Sequence, residues 1–188
     1  MKIDKRWEKD GFVMRLALKS DAEDYYSQNY NPLDKEAAHL TGCKEAFTKE
    51  EVFSFFEQSI EDAGRYLFLV ISPDGRIIGE SVINEIDFDL RCANFRTGIY
   101  HSAQRGKGIG TWIVETTRDF AFEELKLHRL ELDVYSFNPR AERVYRKTGF
   151  KREGVLRDAV YDGDKYADDI LMAILEDEWK QLKGMPQT

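Results

Sequence analysis

Between Phe12 and Lys19 the chain alternates, with Phe12, Met14, Leu16 and Leu18 on one side and Val13, Arg15, Ala17 and Lys19 on the other. A period of two over eight residues predicts a half-buried strand. Ser20-Asp21-Ala22-Glu23 then has the form of a capping box and predicts a helix through about Asn29. Thr48-Lys49-Glu50-Glu51 repeats that form and opens a helix with Val52, Phe55, Phe56, Ser59 and Ile60 on one face, ending before Gly64. Residues 30–47 between them have weak periodicity and predict loop with short helical pieces. From Arg65 the character changes. Tyr66 to Ile71 reads as a strand, Pro73-Asp74-Gly75 as a hairpin turn, and Arg76 to Ile86 as the returning strand. Strands over Arg91 to Tyr100 and Arg129 to Tyr135 flank a helical run, Trp112 to Phe122, free of Gly and Pro. Asn138 as cap and Pro139 at the first position open a helix to Lys147. Two closing strands, roughly Gly149 to Asp158 and Tyr166 to Leu175, join near Asp162-Gly163, and the tail beyond Trp179 is expected to fray. The sum is a mixed α/β layer structure.

Composition narrows the class. A chain of 188 residues holds one domain with a substantial core, and 42% hydrophobic with 13% aromatic content excludes a disordered protein. No linker rich in Pro or Gly divides it, so residues 1–188 are expected to form one domain with its core at about 10–178. A net charge of −7 argues against a general nucleic-acid binder and suits cationic substrates. Cys43 and Cys92 are too few for a disulfide framework and fit a reducing compartment. Met1 to Asp10 is charged throughout without an apolar stretch, and no apolar run approaches membrane-spanning length. A cytoplasmic protein with no membrane or nucleic-acid partner is expected. His39, His101 and His128 are isolated, so no metal site is expected.

The chemistry concentrates at Gln104-Arg105-Gly106-Lys107-Gly108-Ile109-Gly110-Thr111, between a strand and a helix. Alternating glycines there leave backbone N–H groups bare at a helix N-terminus, where unpaired donors and the helix dipole favour an anion. Arg105 and Lys107 add positive charge, and a diphosphate is the natural guest. The spacing is not that of a P-loop, and Thr111 stands where a dinucleotide fingerprint needs its third glycine.

Arg105, Gly108 and Gly110 satisfy Arg/Gln-x-x-Gly-x-Gly/Ala, which resembles the acyl-CoA pyrophosphate loop of the GNAT superfamily of N-acetyltransferases. Asn138, Ala141, Tyr145 and Gly149-Phe150 are similar to that superfamily's Asn-x-x-Ala-x-x-x-Tyr-x-x-x-Gly-Phe signature. Leu127-His128-Arg129-Leu130 and Phe150-x-x-Glu153-Gly154, within the stretch from Glu85 to Arg157, look like the ribosomal-protein N-terminal and spermidine/spermine branches. The resemblance covers nearly all of residues 10–178. It implies a mostly antiparallel twisted sheet of about seven strands flanked by helices, and acetyl-CoA as co-substrate.

Carried onto these positions, the resemblance implies a diphosphate held by Arg105, Gly106, Lys107, Gly108, Ile109, Gly110 and Thr111. The pantetheine arm would lie along Gly98, Ile99 and Tyr100, one of whose N–H groups would stabilise the oxyanion, while Asn138 bonds the arm or an ordered water. Tyr145 is the implied general acid. A phenol stays protonated at neutral pH and can donate to a departing thiolate. The position that carries a Glu base in many relatives holds Phe95 here. Glu80, Glu85 and Asp133 remain as candidates, as does a water relay. Asn84-Glu85-Ile86 is similar to the Glu-Ile-Asn segment of spermidine acetyltransferases, which puts Glu85 forward. Asn94 and Arg96, on alternate positions, would face substrate or a neighbouring copy in a homodimer or higher homo-oligomer. The expected reaction is direct attack of a primary amine on the thioester through a tetrahedral intermediate. A polyamine, a protein N-terminus, an aminoglycoside or another small amine would be the acceptor. The alternative is a non-catalytic acyl-CoA-binding or regulatory module on the same fold.

Overall fold

Asp10 and Gly11 both adopt positive φ, 51° and 81°, which closes a two-residue hairpin turn matched to strand twist. In the computed structural model, which describes residues 2–185, this turn joins β1 (Arg6–Lys9) to β2 (Phe12–Leu16), with Lys9 opposite Phe12. β1 brings the sheet to eight strands where the sequence pattern predicts about seven. Three of its four residues are charged, as an outer edge tolerates. Trp7 alone turns inward, meeting Phe68 and Phe120 edge-on at 5.4 and 5.6 Å between ring centroids.

The remaining strands are β3 (Tyr66–Ile71), β4 (Ile77–Asp87), β5 (Cys92–Ile99), β6 (Arg129–Tyr135), β7 (Lys151–Asp162) and β8 (Lys165–Leu175). Their order is β1-β2-β3-β4-β5-β6-β8-β7, antiparallel at every pair except β5 with β6. Helices α1 (Ala22–Asn29) and α3 (Lys49–Glu61) cover one face through Tyr25, Val52 and Phe56. On the other face α4 (Ile109–Glu123) and α5 (Pro139–Lys147) pack through Trp112, Ile113, Phe120 and Tyr145.

Local chemistry accounts for the boundaries. The Thr48 box forms as expected, with Glu51 N–H donating to Thr48 Oγ1 at 3.2 Å and Thr48 N–H to Glu51 Oε2 at 2.8 Å. At α1 the expected Ser20–Glu23 box is displaced by Asp21, whose carboxylate accepts from Leu18 N–H at 2.8 Å and from both Arg15 terminal nitrogens. A 3₁₀ turn at Lys19–Asp21 therefore precedes the helix. Helix α6 (Glu176–Leu182) continues past Trp179, where fraying is expected. It is pinned by Trp179 stacked on Phe122 at 5.3 Å, with its Nε1 donating to Asp119 at 2.9 Å. Residues 186–188 of that tail lie outside the described residues. The weakly periodic 30–47 segment contains α2 (Lys35–Thr41), capped by Asp34 accepting from Ala37 N–H at 2.8 Å.

One feature of the topology positions the site. The parallel β5–β6 ladder pairs only Cys92 with Arg129, Ala93 with Leu130 and Asn94 with Glu131. Beyond Asn94 the two strands part, and the backbone from Phe95 onward is no longer hydrogen-bonded to β6.

Candidate active site

The glycine loop lies at the wide end of this split. Gly106 and Gly108 hold φ of 79° and 82°, left-handed values that favour glycine, and a Cβ at either would project into open space. Gly108 is the N-cap of α4, and Trp112 N–H is the first amide to reach an intrahelical carbonyl, Gly108 O at 3.3 Å. The amides of Ile109, Gly110 and Thr111 thus stand unpaired at the helix mouth, as an anion site requires. The Ile109 side chain itself is buried in the core. Lys107 is exposed, 3.3 Å from Gln104 Oε1.

Arg105 departs from expectation. Its side chain is only 7% exposed and turns away from the loop. Nε donates to Ile99 O at 2.9 Å and one terminal nitrogen to Glu36 at 2.6 Å, while the other lies 3.4 Å from both Asp34 and Tyr100 O. Nearby carbonyls and carboxylates satisfy the fork, so its charge is spent on α2 and the end of β5. Burial pushes the Asp34 carboxyl up, but the Ala37 amide and the Arg105 charge outweigh this, and its pKa falls below the usual 3.8.

Just past β5, Tyr100 N–H donates to Ile78 O at 2.9 Å and is consumed by pairing with β4. Antiparallel pairing alternates the direction of successive amides, so Gly98 N–H points the same way, toward β4, and Ile99 N–H faces the split. Of the three residues named for the thioester, Ile99 carries the available donor.

Two adjoining cavities occupy the split. One, of about 320 Å³, runs from Gly106, Gly108, Gly110 and Thr111 past Gly98 to Asn138 and Tyr145. The other, of about 520 Å³, is walled by α2, α3, β5 and β6 and contains Glu80, Arg96 and Asp133. Asn138 and Tyr145 line both. Asn138 Oδ1 caps α5 by accepting from Ala141 N–H at 3.2 Å. Tyr145 packs at the junction against Phe95 and Phe150, at centroid distances of 6.3 and 6.0 Å. Burial, with Asp133 second, drives its phenol pKa above the ordinary value of 10. Phe95 is thereby explained: where a carboxylate is expected, it fills the core beneath Tyr145.

The acids are distributed unevenly. Glu80 is 7% exposed and lines the larger cavity, accepting from Tyr25 Oη at 2.5 Å with Arg96 at 3.7 Å. Tyr25 and Tyr30 hydroxyls lie 2.9 Å apart, and Tyr30 and Tyr100 hydroxyls 3.1 Å apart. Burial and the Glu80 charge raise the pKa values of all three phenols. This tyrosine cluster escapes sequence reasoning, because α1, β4 and β5 bring it together across 55 and 75 positions. Asp133 lines the same cavity from β6, and burial followed by the Glu85 charge raises its pKa above 3.8. Glu85 is exposed, with φ of 54° where the β4–β5 register shifts, and is not among the residues lining either cavity. Its charge acts on Asp133, which does line the larger cavity. Among the described residues no His, Cys, Asp and Glu cluster suits a metal ion, and no helix is long and apolar enough to cross a membrane.

Residues 12–151 match the model of the acetyltransferase (GNAT) domain. The spermidine N(1)-acetyltransferase of Escherichia coli K12 is 31% identical over 135 residues, spanning 72% of this chain and 70% of that protein. The ribosomal-protein-S5-alanine acetyltransferase of Vibrio fischeri superposes with a TM-score of 0.80 at 25% identity, over 94% of this chain and all of that one. The spermidine N-acetyltransferase of Vibrio cholerae, solved with CoA and spermine, gives a TM-score of 0.80 at 24% identity, covering 91% and 99% of the two chains. The unpaired amides, open glycines and strand split fit the co-substrate of that fold. The chain therefore belongs to the GNAT family of N-acetyltransferases, enzymes that move an acetyl group from acetyl-CoA to an amine.

Proposed function

We propose that this enzyme acetylates a cationic primary amine of the polyamine class, bound in the cavity shared by Glu80, Asp133 and Tyr145. The observation that carries this reading is the meeting of the Glu80 and Asp133 carboxylates and the Tyr145 phenol in a single cavity beside the split. The 31% identity to a spermidine N(1)-acetyltransferase supports the acceptor class.

Acetyl-CoA, when bound, supplies the thioester carbonyl. The loop amides of Ile109, Gly110 and Thr111 hold its diphosphate, the arm follows β5, and Asn138 flanks it. Glu80 and the tyrosine hydroxyls hold the positive charge of the acceptor. Asp133, whose raised pKa brings it closer to neutrality as a base, takes the proton that frees the nitrogen lone pair. That nitrogen attacks the carbonyl carbon, and the oxyanion is met by Ile99 N–H. As the C–S bond breaks, Tyr145 gives its proton to the thiolate and regains one from the acylated nitrogen, which becomes the neutral amide, while Asp133 passes its own proton to solvent. Glu85 supports Asp133 electrostatically.

A panel of spermidine, a basic N-terminal peptide, an aminoglycoside and an uncharged-body amine, assayed by free-thiol release, tests the reading. The expected result is the highest kcat/KM for spermidine. A preference for amines without a second cationic group would overturn the acceptor class.

A further inference from the structure

Helix α2 bridges the split, and three contacts on different elements hold it. At its N-terminal end Asp34 and Glu36 face the Arg105 fork of the glycine loop. In its middle His39 stacks on Phe137 at 4.6 Å, and Nε2 lies 2.6 Å from Asp162 Oδ1 on β7. At its C-terminal end Gly42, with φ of 66°, packs so closely on Tyr135 of β6 that a Cβ would lie 2.5 Å from the phenol oxygen. Ala37, Leu40 and Thr41 of α2 line both cavities. The helix is thus a shared wall between the acyl-CoA side and the acceptor side.

We infer that Arg105 is a positioning residue for the acceptor, linking the glycine loop to the α2 wall rather than binding the diphosphate through its guanidinium. Its five donors face two carbonyls and two carboxylates, and a guanidinium fork is pre-organised for that planar arrangement. A diphosphate that settles on the amides of Gly110 and Thr111 stiffens the segment carrying Arg105. Stiffening passes through Glu36 and Asp34 to α2, so a filled loop presents a set wall to the amine. Two ligands that each favour one arrangement of a shared element raise each other's affinity. Acetyl-CoA and acceptor should therefore bind with positive coupling. The inference rests on the cavity assignment above, and its test is chosen to separate the two.

Arg105→Gln and Glu36→Gln are compared with wild type by calorimetry against CoA, by steady-state kinetics, and by hydrogen exchange of α2 amides with and without CoA. Both variants should raise acceptor KM by about fivefold or more, the lower bound of ordinary site–site coupling, with CoA affinity within about twofold of wild type. The double variant should add little beyond either single one, because both break the same contact. Arg105→Lys, which reaches one carboxylate without the fork, should restore part of the acceptor KM. CoA should protect the α2 amides in wild type but not in Glu36→Gln. This readout needs no turnover and stays meaningful if the acceptor class is wrong. Loss of CoA affinity in Arg105→Gln with none in Glu36→Gln would make Arg105 a phosphate ligand and overturn the inference. If Arg105→Gln does not fold, Glu36→Gln decides alone: unchanged acceptor KM and unchanged α2 protection refute it.

Discussion

Tyr25 donates its hydroxyl to Glu80 Oε2 at 2.5 Å, tying α1 to β4 at the floor of the larger cavity. A carboxylate this buried needs that donor, and its second oxygen has only Arg96 at 3.7 Å. Glu80 thus lines the cavity with one oxygen held by Tyr25 and the other facing Arg96 at 3.7 Å. Glu80→Gln should raise KM for spermidine by about tenfold, the scale of a hydrogen bond to a charged group, and change KM for an uncharged-body amine much less. Tyr25→Phe should instead lower stability by about 1–3 kcal/mol, measured by denaturant unfolding, because it strands a buried carboxylate oxygen. Glu85→Gln, made at an exposed position outside the cavities, should alter spermidine KM less than Glu80→Gln does.

Tyr145→Phe keeps the ring against Phe95 and Phe150 while removing the proposed proton donor. Its kcat should fall by about two orders of magnitude, with acetyl-CoA affinity close to wild type. A variant with full kcat would reduce Tyr145 to a packing residue.

Gly108→Val should abolish most of the acetyl-CoA affinity. A φ of 82° is costly for a β-branched residue, and its side chain would enter the space in front of the α4 amides. Calorimetry on a folded variant reads this directly, and unchanged affinity would remove the loop as the diphosphate site.

The pH profile follows from two directions of shift. As the proposed base, Asp133 must be ionised to accept a proton, so kcat/KM should fall as pH drops through its raised pKa, at a pH above the ordinary carboxylate value of 3.8. Tyr145 must be protonated, and its pKa lies above 10, so no alkaline loss from this group should appear below pH 10. Asp133→Asn should lower kcat/KM and remove the acid limb that Asp133 governs, leaving only the acceptor's own ionisation.

Most of the scaffold was legible because it rests on local rules. The Thr48 capping box, the Asn138-Pro139 helix start and the six apolar residues of β3 each announce their element within a few positions. β1 was not legible from periodicity, since Arg6, Glu8 and Lys9 mask a strand that only the Asp10-Gly11 turn betrays. At the site, the glycine loop and the Asn138 to Phe150 block were readable as motifs. The partners of Arg105 were not, because Asp34 and Glu36 lie about 70 positions away and only folding brings them together. The same holds for Glu80, one of three equivalent strand carboxylates until Tyr25, Tyr30 and Tyr100 surround it.

Acetyl transfer to an amine is read most directly by one measurement. Purified enzyme, acetyl-CoA and spermidine are incubated, free thiol is counted, and the amine is analysed by mass spectrometry. One acetyl group should appear on spermidine for each CoA released, at a rate cut about a hundredfold in Tyr145→Phe. Tight binding of acetyl-CoA with no acetylated amine from spermidine, peptide or any other acceptor would contradict the account and leave a non-catalytic acyl-CoA-binding module.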